Sequence, residues 1–393
     1  MSEADGAPRR GVATDIIHHG RDPFDHHGFV NTPVYRGSTV LYPTLEAIES
    51  RNQPYTYGRR GTPTVRALEA AIAHLEGGEH TVLVPSGYAA VSLALLSFVE
   101  AGDHILVTDS VYQPTRKLCD GLLKRLGVET TYYDPLIGAG ISALFRPNTR
   151  LVYTESPGSQ TFEVQDVPAI AQAARARDIF VVMDNTWASP LYFKPFSHGV
   201  DVSVQACTKY VVGHADAMLG SVTASGRAKK YLERGFDQLG MCAGSEETFL
   251  GLRGLRTVHV RLARHWASGL EVANWLATRP EVARVMHPAM PQDPGHALWK
   301  RDFVGASGLF GAVLKPCSKT ALAAMLDGMK LFGMGFSWGG FESLVIPFDP
   351  RSYRTATAWT DPGPALRIHI GLEDVSDLIA DLDAGFARLR AAG

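Results

Sequence analysis

A lysine, an aspartate and a strand-to-helix turn are the parts of this chain best suited to chemistry. Lys209 follows the predicted strand Val202–Gln205, where a side chain can point into the crevice at the carboxyl edge of a parallel sheet. A lysine amine withdrawn from water can form a Schiff base with an aldehyde. Taken alone, a loop lysine is far more often a solvated surface residue.

Two further segments narrow the interpretation of Lys209. Asp184 ends a buried apolar run, where its carboxylate could cap a turn or keep the ring nitrogen of a pyridoxal cofactor protonated. The Pro85–Tyr88 turn lies between a strand and a helix, where free N–H groups can bind phosphate. The order is phosphate turn, then acid, then lysine 25 residues after the acid. Together they form a complete set for pyridoxal 5'-phosphate, and this agreement favours that cofactor.

The segments that carry these residues alternate between short apolar runs and helices. Apolar runs without polar alternation are typical of a parallel sheet that is covered on both faces, so the fold class is α/β. The predicted strands are Thr81–Val84, Ile105–Thr108, Val128–Tyr133, Leu151–Thr154, Phe180–Met183, Val202–Gln205 and Ser221–Ala224. The predicted helices include Thr64–Leu75, Tyr88–Val99, Gln113–Leu126 and Ala169–Arg177.

The chain is predicted to divide into three regions. Residues 1–60 are rich in Gly, Pro and His and are expected to form an arm that lies on a neighbouring subunit. Residues 61–255 carry the α/β pattern and the candidate cofactor site. Residues 256–393 are expected to form a smaller α+β domain, with a long helix at Thr257–Ala277 and strands at Leu309–Leu314 and Leu366–Ile370.

Composition excludes several classes of function. The 38 Lys and Arg against 40 Asp and Glu give a formal net charge of −2, so no basic surface for nucleic acid or membrane is expected. No apolar run is long enough to span a membrane, and the first residues lack an apolar signal segment. The four scattered cysteines are typical of a reducing compartment, so a cytoplasmic protein is expected. The adjacent pairs His18-His19 and His26-His27 diverge, and no metal site is expected.

Longer motifs add a resemblance. They include TYGRRGTPT (56–64), LVPSGYAAV (83–91), DNTWA (184–188), QACTKYVVGHADAMLG (205–220) and SWGGFESL (337–344). In these segments the chain resembles the Cys/Met-metabolism family of pyridoxal phosphate enzymes. The resemblance implies the aspartate-aminotransferase-like fold (fold type I of these enzymes), in which a large, mostly parallel sheet domain precedes a smaller α+β C-terminal domain.

The resemblance also implies a role for each matching residue. Lys209 would be the Schiff-base lysine, and Tyr112, stacked on the cofactor ring, would be the second catalytic residue. The residues implied to bind the cofactor are Lys209, Asp184, Gly87, Tyr88, Tyr112 and Thr208, joined by Tyr57 and Arg59 from a neighbouring subunit. Arg367, Ser337 and Trp338 would bind the amino-acid substrate. Family members are commonly homotetramers, built as dimers of dimers with shared active sites.

The implied reaction is cleavage of L-cystathionine by β-elimination to L-homocysteine, pyruvate and ammonia, a carbon–sulfur lyase step of methionine biosynthesis. Ala206 departs from a serine expected at the phosphate, Lys117 from an acid and Phe336 from a tyrosine. The last two affect the far end of the substrate. A lyase of cysteine or S-alkylcysteine, a γ-lyase and a sulfhydrylase of the same family therefore stay open. A catalytically silent protein is disfavoured because Lys209 and Asp184 are both present.

Overall fold

A large sheet forms the centre of the N-terminal part of the chain in this computed structural model, which describes residues 10–393. Residues 1–9 of the predicted arm lie outside the described residues. The strands of this sheet are β1 (His80–Val84), β2 (His104–Thr108), β3 (Glu129–Tyr133), β4 (Thr149–Glu155), β5 (Phe180–Asp184), β6 (Val202–Gln205) and β7 (Gly220–Ala224).

The seven strands lie in the order β1-β7-β6-β5-β4-β2-β3. The pairs from β6 through β5, β4 and β2 to β3 are parallel, whereas β7 runs antiparallel to both β1 and β6. The prediction of a mostly parallel sheet is therefore confirmed. Every residue of β2, β6 and β7 is buried because helices cover both faces, which is why these strands show no polar alternation.

Nine helices accompany this sheet within the described residues. They are α1 (Val12–His18), α2 (Leu45–Ser50), α3 (Pro63–Glu76), α4 (Gly87–Leu96), α5 (Gln113–Leu118), α6 (Val167–Arg175), α7 (Ser189–Tyr192), α8 (Lys229–Leu239) and α9 (Ser245–Leu255). Helix α3 starts with Pro63 in its first turn and ends at Gly77, whose φ of 76° suits glycine.

The predicted helical stretch Gln113–Leu126 is present, but it is not a regular α-helix throughout. Helix α5 passes at Leu118 into a π-helical segment, Cys119–Leu123, and residues 124–125 are α-helical again. The Tyr132 hydroxyl donates to Asp120 of this segment at 2.7 Å, and it lies 3.4 Å from the Arg116 carbonyl. A side chain inserted beside a helix in this way accompanies a local departure from the regular ladder.

A second, antiparallel sheet forms the core of the C-terminal part. Its strands are β8 (Val282–Met286), β9 (Leu309–Leu314), β10 (Leu344–Phe348) and β11 (Ala365–His369), in the order β10-β11-β9-β8. Its helices are α10 (Val258–Ala277), α11 (His296–Asp302), α12 (Lys319–Asp327) and α13 (Val375–Ala391). Apolar residues of α10, α12 and α13 pack with those of the strands in one buried cluster. No helix within residues 10–393 is long and apolar enough to cross a membrane.

Asp109 ties a loop of the C-terminal part to the end of β2. Its buried carboxylate accepts hydrogen bonds from the backbone N–H groups of Thr355, Ala356 and Thr357 at 2.9, 3.0 and 2.9 Å. Arg116 and Arg354 contact the same carboxylate at 2.5 and 3.4 Å. Burial alone would raise the pKa of Asp109, but these hydrogen bonds outweigh it and lower the pKa.

We expect Asp109→Ala to destabilise the protein by about 3–5 kcal/mol, because buried Arg116 would lose its anionic partner and buried Arg354 would lose one of its two. Urea unfolding of the variant measures the loss. Asp178→Ala is the matched control, since Asp178 is exposed and pairs with Arg227 at the surface, where an ion pair contributes about 1 kcal/mol or less. Equal losses in the two variants would contradict the prediction.

Candidate active site

A cavity of about 470 Å³ lies between the loop after β6 and the loop before β10. Its lining includes Thr208 from the first loop and Phe336, Ser337 and Trp338 from the second. The Trp338 ring also packs on the Tyr210 ring, with centroids 5.4 Å apart. The structure thus brings three of the predicted site residues and the unexpected Phe336 to one place.

Lys209 lies beside this cavity, and its amine points at the second loop. Its Nζ donates a hydrogen bond to Ser337 Oγ at 2.6 Å and lies 5.3 Å from the centre of the Trp338 ring. Burial, followed by the charge of Arg367, lowers the pKa of Lys209 to about 8, while Asp184 opposes the shift. A large fraction of this amine is therefore neutral, and so nucleophilic and basic, at mildly alkaline pH.

Asp184 ends β5 as predicted, and the neighbouring Thr186 orients its carboxylate. The Thr186 backbone N–H and hydroxyl donate to Asp184 Oδ1 at 3.0 and 2.5 Å. The same hydroxyl oxygen accepts from the Ala206 N–H at 2.9 Å, which links the ends of β5 and β6. Burial raises the pKa of Asp184, against the Thr186 hydrogen bonds and the charge of Lys209. Sequence reasoning missed Thr186, although its position two residues after the aspartate is typical of an Asx turn.

The predicted phosphate turn is present at the start of α4. Ser86 caps the helix by accepting from the Ala89 N–H at 3.1 Å, and the first-turn N–H groups of Gly87 and Tyr88 have no partner within the helix. A Cβ on Gly87 would lie 2.4 Å from the Ala206 Cβ, so this turn requires glycine and Ala206 lies directly against it. The departure at Ala206 therefore removes a hydroxyl from the edge of the turn.

Thr208 lines the cavity, but its hydroxyl is already used. It donates to the Leu219 carbonyl at 3.2 Å and accepts from the Leu219 N–H at 2.9 Å. To donate to a bound phosphate, the hydroxyl proton must turn away from the carbonyl, which costs one hydrogen bond within the protein.

Tyr112 lies just before α5, and its backbone is fixed by Glu155. The Tyr112 N–H donates to Glu155 Oε2 at 2.7 Å, and Glu155 lies opposite Asp184 in the register of β4 and β5. Burial raises the pKa of the Tyr112 hydroxyl, and the negative charges of Glu155 and Asp184 raise it further. Glu155 was not predicted, since no local motif marks it.

Arg367 projects from β11 toward the loop that carries Ser337. Its Nη2 donates to the Ser337 carbonyl at 2.9 Å and to the Gly335 carbonyl at 3.3 Å. No described residue accepts from Nε or Nη1, so that side of the guanidinium can bind a carboxylate. Burial lowers the pKa of Arg367 to about 10, and the group stays cationic at neutral pH.

Tyr57 and Arg59 are not brought to this cavity within one chain. Tyr57 is 50% exposed, and neither residue belongs to the cavity lining. Arg59 and its neighbour Arg60 approach Asp237 of α8 at 3.4 and 3.6 Å. Their role at the phosphate of a neighbouring subunit stays a prediction.

The residues around the cavity fit pyridoxal phosphate. A buried amine with a lowered pKa, a carboxylate held by two hydrogen bonds and a helix turn that only glycine allows lie along one sheet edge. Residues 13–387 match the family of Cys/Met metabolism PLP-dependent enzymes. The chain belongs to this family.

Individual relatives agree with this assignment. The chain is 46% identical to the cystathionine β-lyase MetC of Escherichia coli, over 96% of this chain and 98% of that protein. It is 40% identical to an L-alanine/L-glutamate racemase of Wolbachia pipientis, over 95% and 96%. Among solved structures, a cystathionine γ-lyase from Lactobacillus plantarum complexed with L-serine matches with a TM-score of 0.89 and 29% identity, over 97% of this chain and 100% of that one. The predicted fold and cofactor are thereby confirmed.

We expect the charge of Arg367 to control the pKa of Lys209. In cofactor-free protein, the rate at which pyridoxal phosphate combines with Lys209 should rise with pH through a midpoint near 8, because only the neutral amine reacts. Arg367→Gln removes a charge that lowers this pKa, so the midpoint should move to higher pH. Asp184→Asn should move it to lower pH.

Stopped-flow absorbance at several pH values measures these midpoints. Arg351→Gln is the control, because Arg351 pairs with Asp349 on the surface and should leave the midpoint unchanged. A midpoint that stays the same in Arg367→Gln would show that burial alone sets the pKa of Lys209.

Proposed function

We propose that this chain is a pyridoxal phosphate-dependent carbon–sulfur β-lyase that cleaves L-cystathionine to L-homocysteine, pyruvate and ammonia. The observation that carries the proposal is the Lys209 amine. It donates a hydrogen bond to Ser337, and the charges of Arg367 and Asp184 shift its pKa in opposite directions. The extent of identity to the Escherichia coli cystathionine β-lyase supports the same substrate. The roles of the individual residues below are part of this proposal.

Arg367 is the residue that binds the substrate α-carboxylate. Two carbonyls hold its Nη2, which fixes the guanidinium plane and leaves the other nitrogens for a two-point contact. Such a contact fixes the direction of the Cα–H bond and reduces the entropy cost of reaching the reactive geometry. Trp338 forms the wall next to this position, where it also keeps water from the amine.

Lys209 is the base that removes the Cα proton. Pyridoxal phosphate, when bound, would supply the electron sink that makes this proton acidic, and Asp184 and Tyr112 would be among the residues that hold it. Neutral Nζ takes the proton from Cα while the Cβ–S bond breaks and its electron pair leaves on sulfur. Lys209 then holds the proton that the leaving thiolate requires. Hydrolysis of the three-carbon remainder gives pyruvate and ammonia.

The residues expected near the far end of the substrate favour an alternative substrate class. Phe336 lines the cavity with 89% of its surface exposed, and it presents an apolar ring. Lys117 is also exposed and adds a positive charge on α5. A substrate with a short apolar thioether group, such as an S-alkylcysteine, would fit this surface without a second charged end.

We further propose a homotetramer of the cytoplasm in which two chains share each site. Tyr57 and Arg59 lie outside the cavity lining of their own chain, and the half-exposed Tyr57 is accessible to another chain, which supports sharing. The exposed apolar residues Phe24, Leu41 and Leu45 of the proposed arm support a contact with another chain.

We expect Lys209→Ala to abolish the visible absorbance of lysine-linked cofactor and to lower turnover at least about 100-fold, since a positioned base contributes about that much or more. Absorbance spectra and a coupled pyruvate assay measure both effects. Lys319→Ala is the control, because Lys319 is exposed on α12. Retained turnover in Lys209→Ala would exclude Lys209 as the base.

Product analysis tests the reaction itself. From cystathionine, β-cleavage gives pyruvate and homocysteine, whereas γ-cleavage gives 2-oxobutyrate and cysteine. We expect pyruvate, and a higher kcat/KM for cystathionine than for cystine or S-methylcysteine. Phe336→Tyr should raise kcat/KM for cystathionine but not for S-methylcysteine. The added hydroxyl can form a hydrogen bond only with a substrate whose far end is polar. A preference for S-methylcysteine in the unaltered enzyme would establish the alternative substrate class.

A further inference from the structure

The loop from Ser337 to Gly340 has an unusual backbone for its position. Ser337 has a φ of 88°, a left-handed conformation that residues other than glycine rarely adopt. Gly339 has a φ of 83°, and a Cβ there would lie 3.1 Å from both Cα and Cβ of Lys209. The Gly339 backbone therefore packs closely against Lys209. The surrounding structure must hold the loop in this unfavourable conformation.

Strand β11 supplies two side chains that enforce this conformation. Arg367 and His369 are two residues apart, so both point to the same face of the strand. Arg367 binds the Ser337 carbonyl at one end of the loop. At the other end the Gly339 N–H donates to His369 Nε2 at 3.1 Å, and the Gly340 carbonyl lies 3.2 Å from the same nitrogen. His369 is fully buried.

The Nε2 atom of His369 can bind the loop in either tautomer. It accepts from the Gly339 N–H when the ring proton lies on Nδ1, and it donates to the Gly340 carbonyl when the proton lies on Nε2. His265 of α10 has its Nδ1 2.8 Å from the Ile370 carbonyl, so that nitrogen is the donor. The rings of His265 and His369 lie 5.3 Å apart, and His265 Nε2 and His369 Nδ1 are buried without a hydrogen-bond partner among the described residues.

We propose that His369 is a positioning residue that holds Gly339 against Lys209 and so keeps Ser337 in the conformation that serves both Lys209 and Arg367. The link to turnover rests on the proposed function, whereas the link to loop geometry does not. Burial, the facing His265 and the nearby charges of Arg367 and Lys209 lower the pKa of His369 to about 3, against the hydrogen bond with the Gly340 carbonyl, so the ring stays neutral at any pH where the enzyme works.

Two substitutions separate this role from simple packing. His369→Leu fills a similar volume but offers no acceptor to Gly339. His369→Gln can place its amide oxygen near the position of Nε2 and so keeps the acceptor. We expect His369→Leu to raise KM by about tenfold or more, because Arg367 and Ser337 lose their fixed relation, and to lower kcat as Lys209 loses its hydrogen bond. His369→Gln should restore most of both.

His287→Leu is the matched control for the loss of a buried histidine. His287 is fully buried and has its pKa lowered to about 4 by burial, yet its Nδ1 accepts from Ala289 and does not contact the loop. The His287→Leu substitution should lower the melting temperature without changing KM. Equal kinetic losses in His287→Leu and His369→Leu, or no rescue by His369→Gln, would overturn the proposal.

Crystal structures of the cofactor-free variants give a readout that does not depend on activity. In His369→Leu, Ser337 should leave the left-handed region and its hydroxyl should lie beyond hydrogen-bond distance of Lys209 Nζ, while His369→Gln should keep both. An unchanged loop in His369→Leu would overturn the proposal even if turnover falls. If the unaltered enzyme cleaves none of the thioether amino acids, the proposed function fails, but the crystal structures still decide the role of His369.

Discussion

The hydrogen bond from Lys209 Nζ to Ser337 Oγ is the contact on which the site depends, because it joins the two sheets at the reactive atom. Lys209 follows β6 of the large sheet, and Ser337 precedes β10 of the small one. Neither sheet alone can fix the amine. Anything that shifts the small sheet therefore moves the hydrogen-bond partner of Lys209, and it also moves Arg367, which β11 carries.

Because the Lys209–Ser337 hydrogen bond depends on how the two sheets are placed, buried polar contacts that hold the two parts together also support the site. Asp109 receives backbone donors and a contact from Arg354 from across the junction, and it lies three residues before Tyr112. Tyr112 is held in turn by Glu155, whose pKa is raised by burial and by the adjacent Asp184. The positions of Tyr112 and Asp184 are thereby linked through Glu155.

The large sheet and its edge residues could be predicted because buried parallel strands consist of uninterrupted apolar runs and end where ligands bind. The small sheet was harder to predict. Strand β10 contains Pro347 and β8 exposes its middle residues, as edge strands of an antiparallel sheet allow. Helices α8 and α9 were also missed. Glu155 and His369 could not be found from local patterns, since their partners lie 43 and 30 residues away. Only packing reveals such pairs.

The segment around Tyr57 shows a different limit of sequence reasoning. Its motif indicates a phosphate ligand, and the resemblance implies an enzyme that uses such a ligand. In the folded chain, however, Arg59 and Arg60 approach Asp237, and neither lines the cavity. These ion pairs are partly exposed, and such pairs contribute little free energy. A phosphate in a drier setting is a stronger partner for an arginine than a solvated carboxylate. Under the proposed sharing of sites between chains, the exchange of one partner for the other would favour association, and cofactor binding and assembly would stabilise each other.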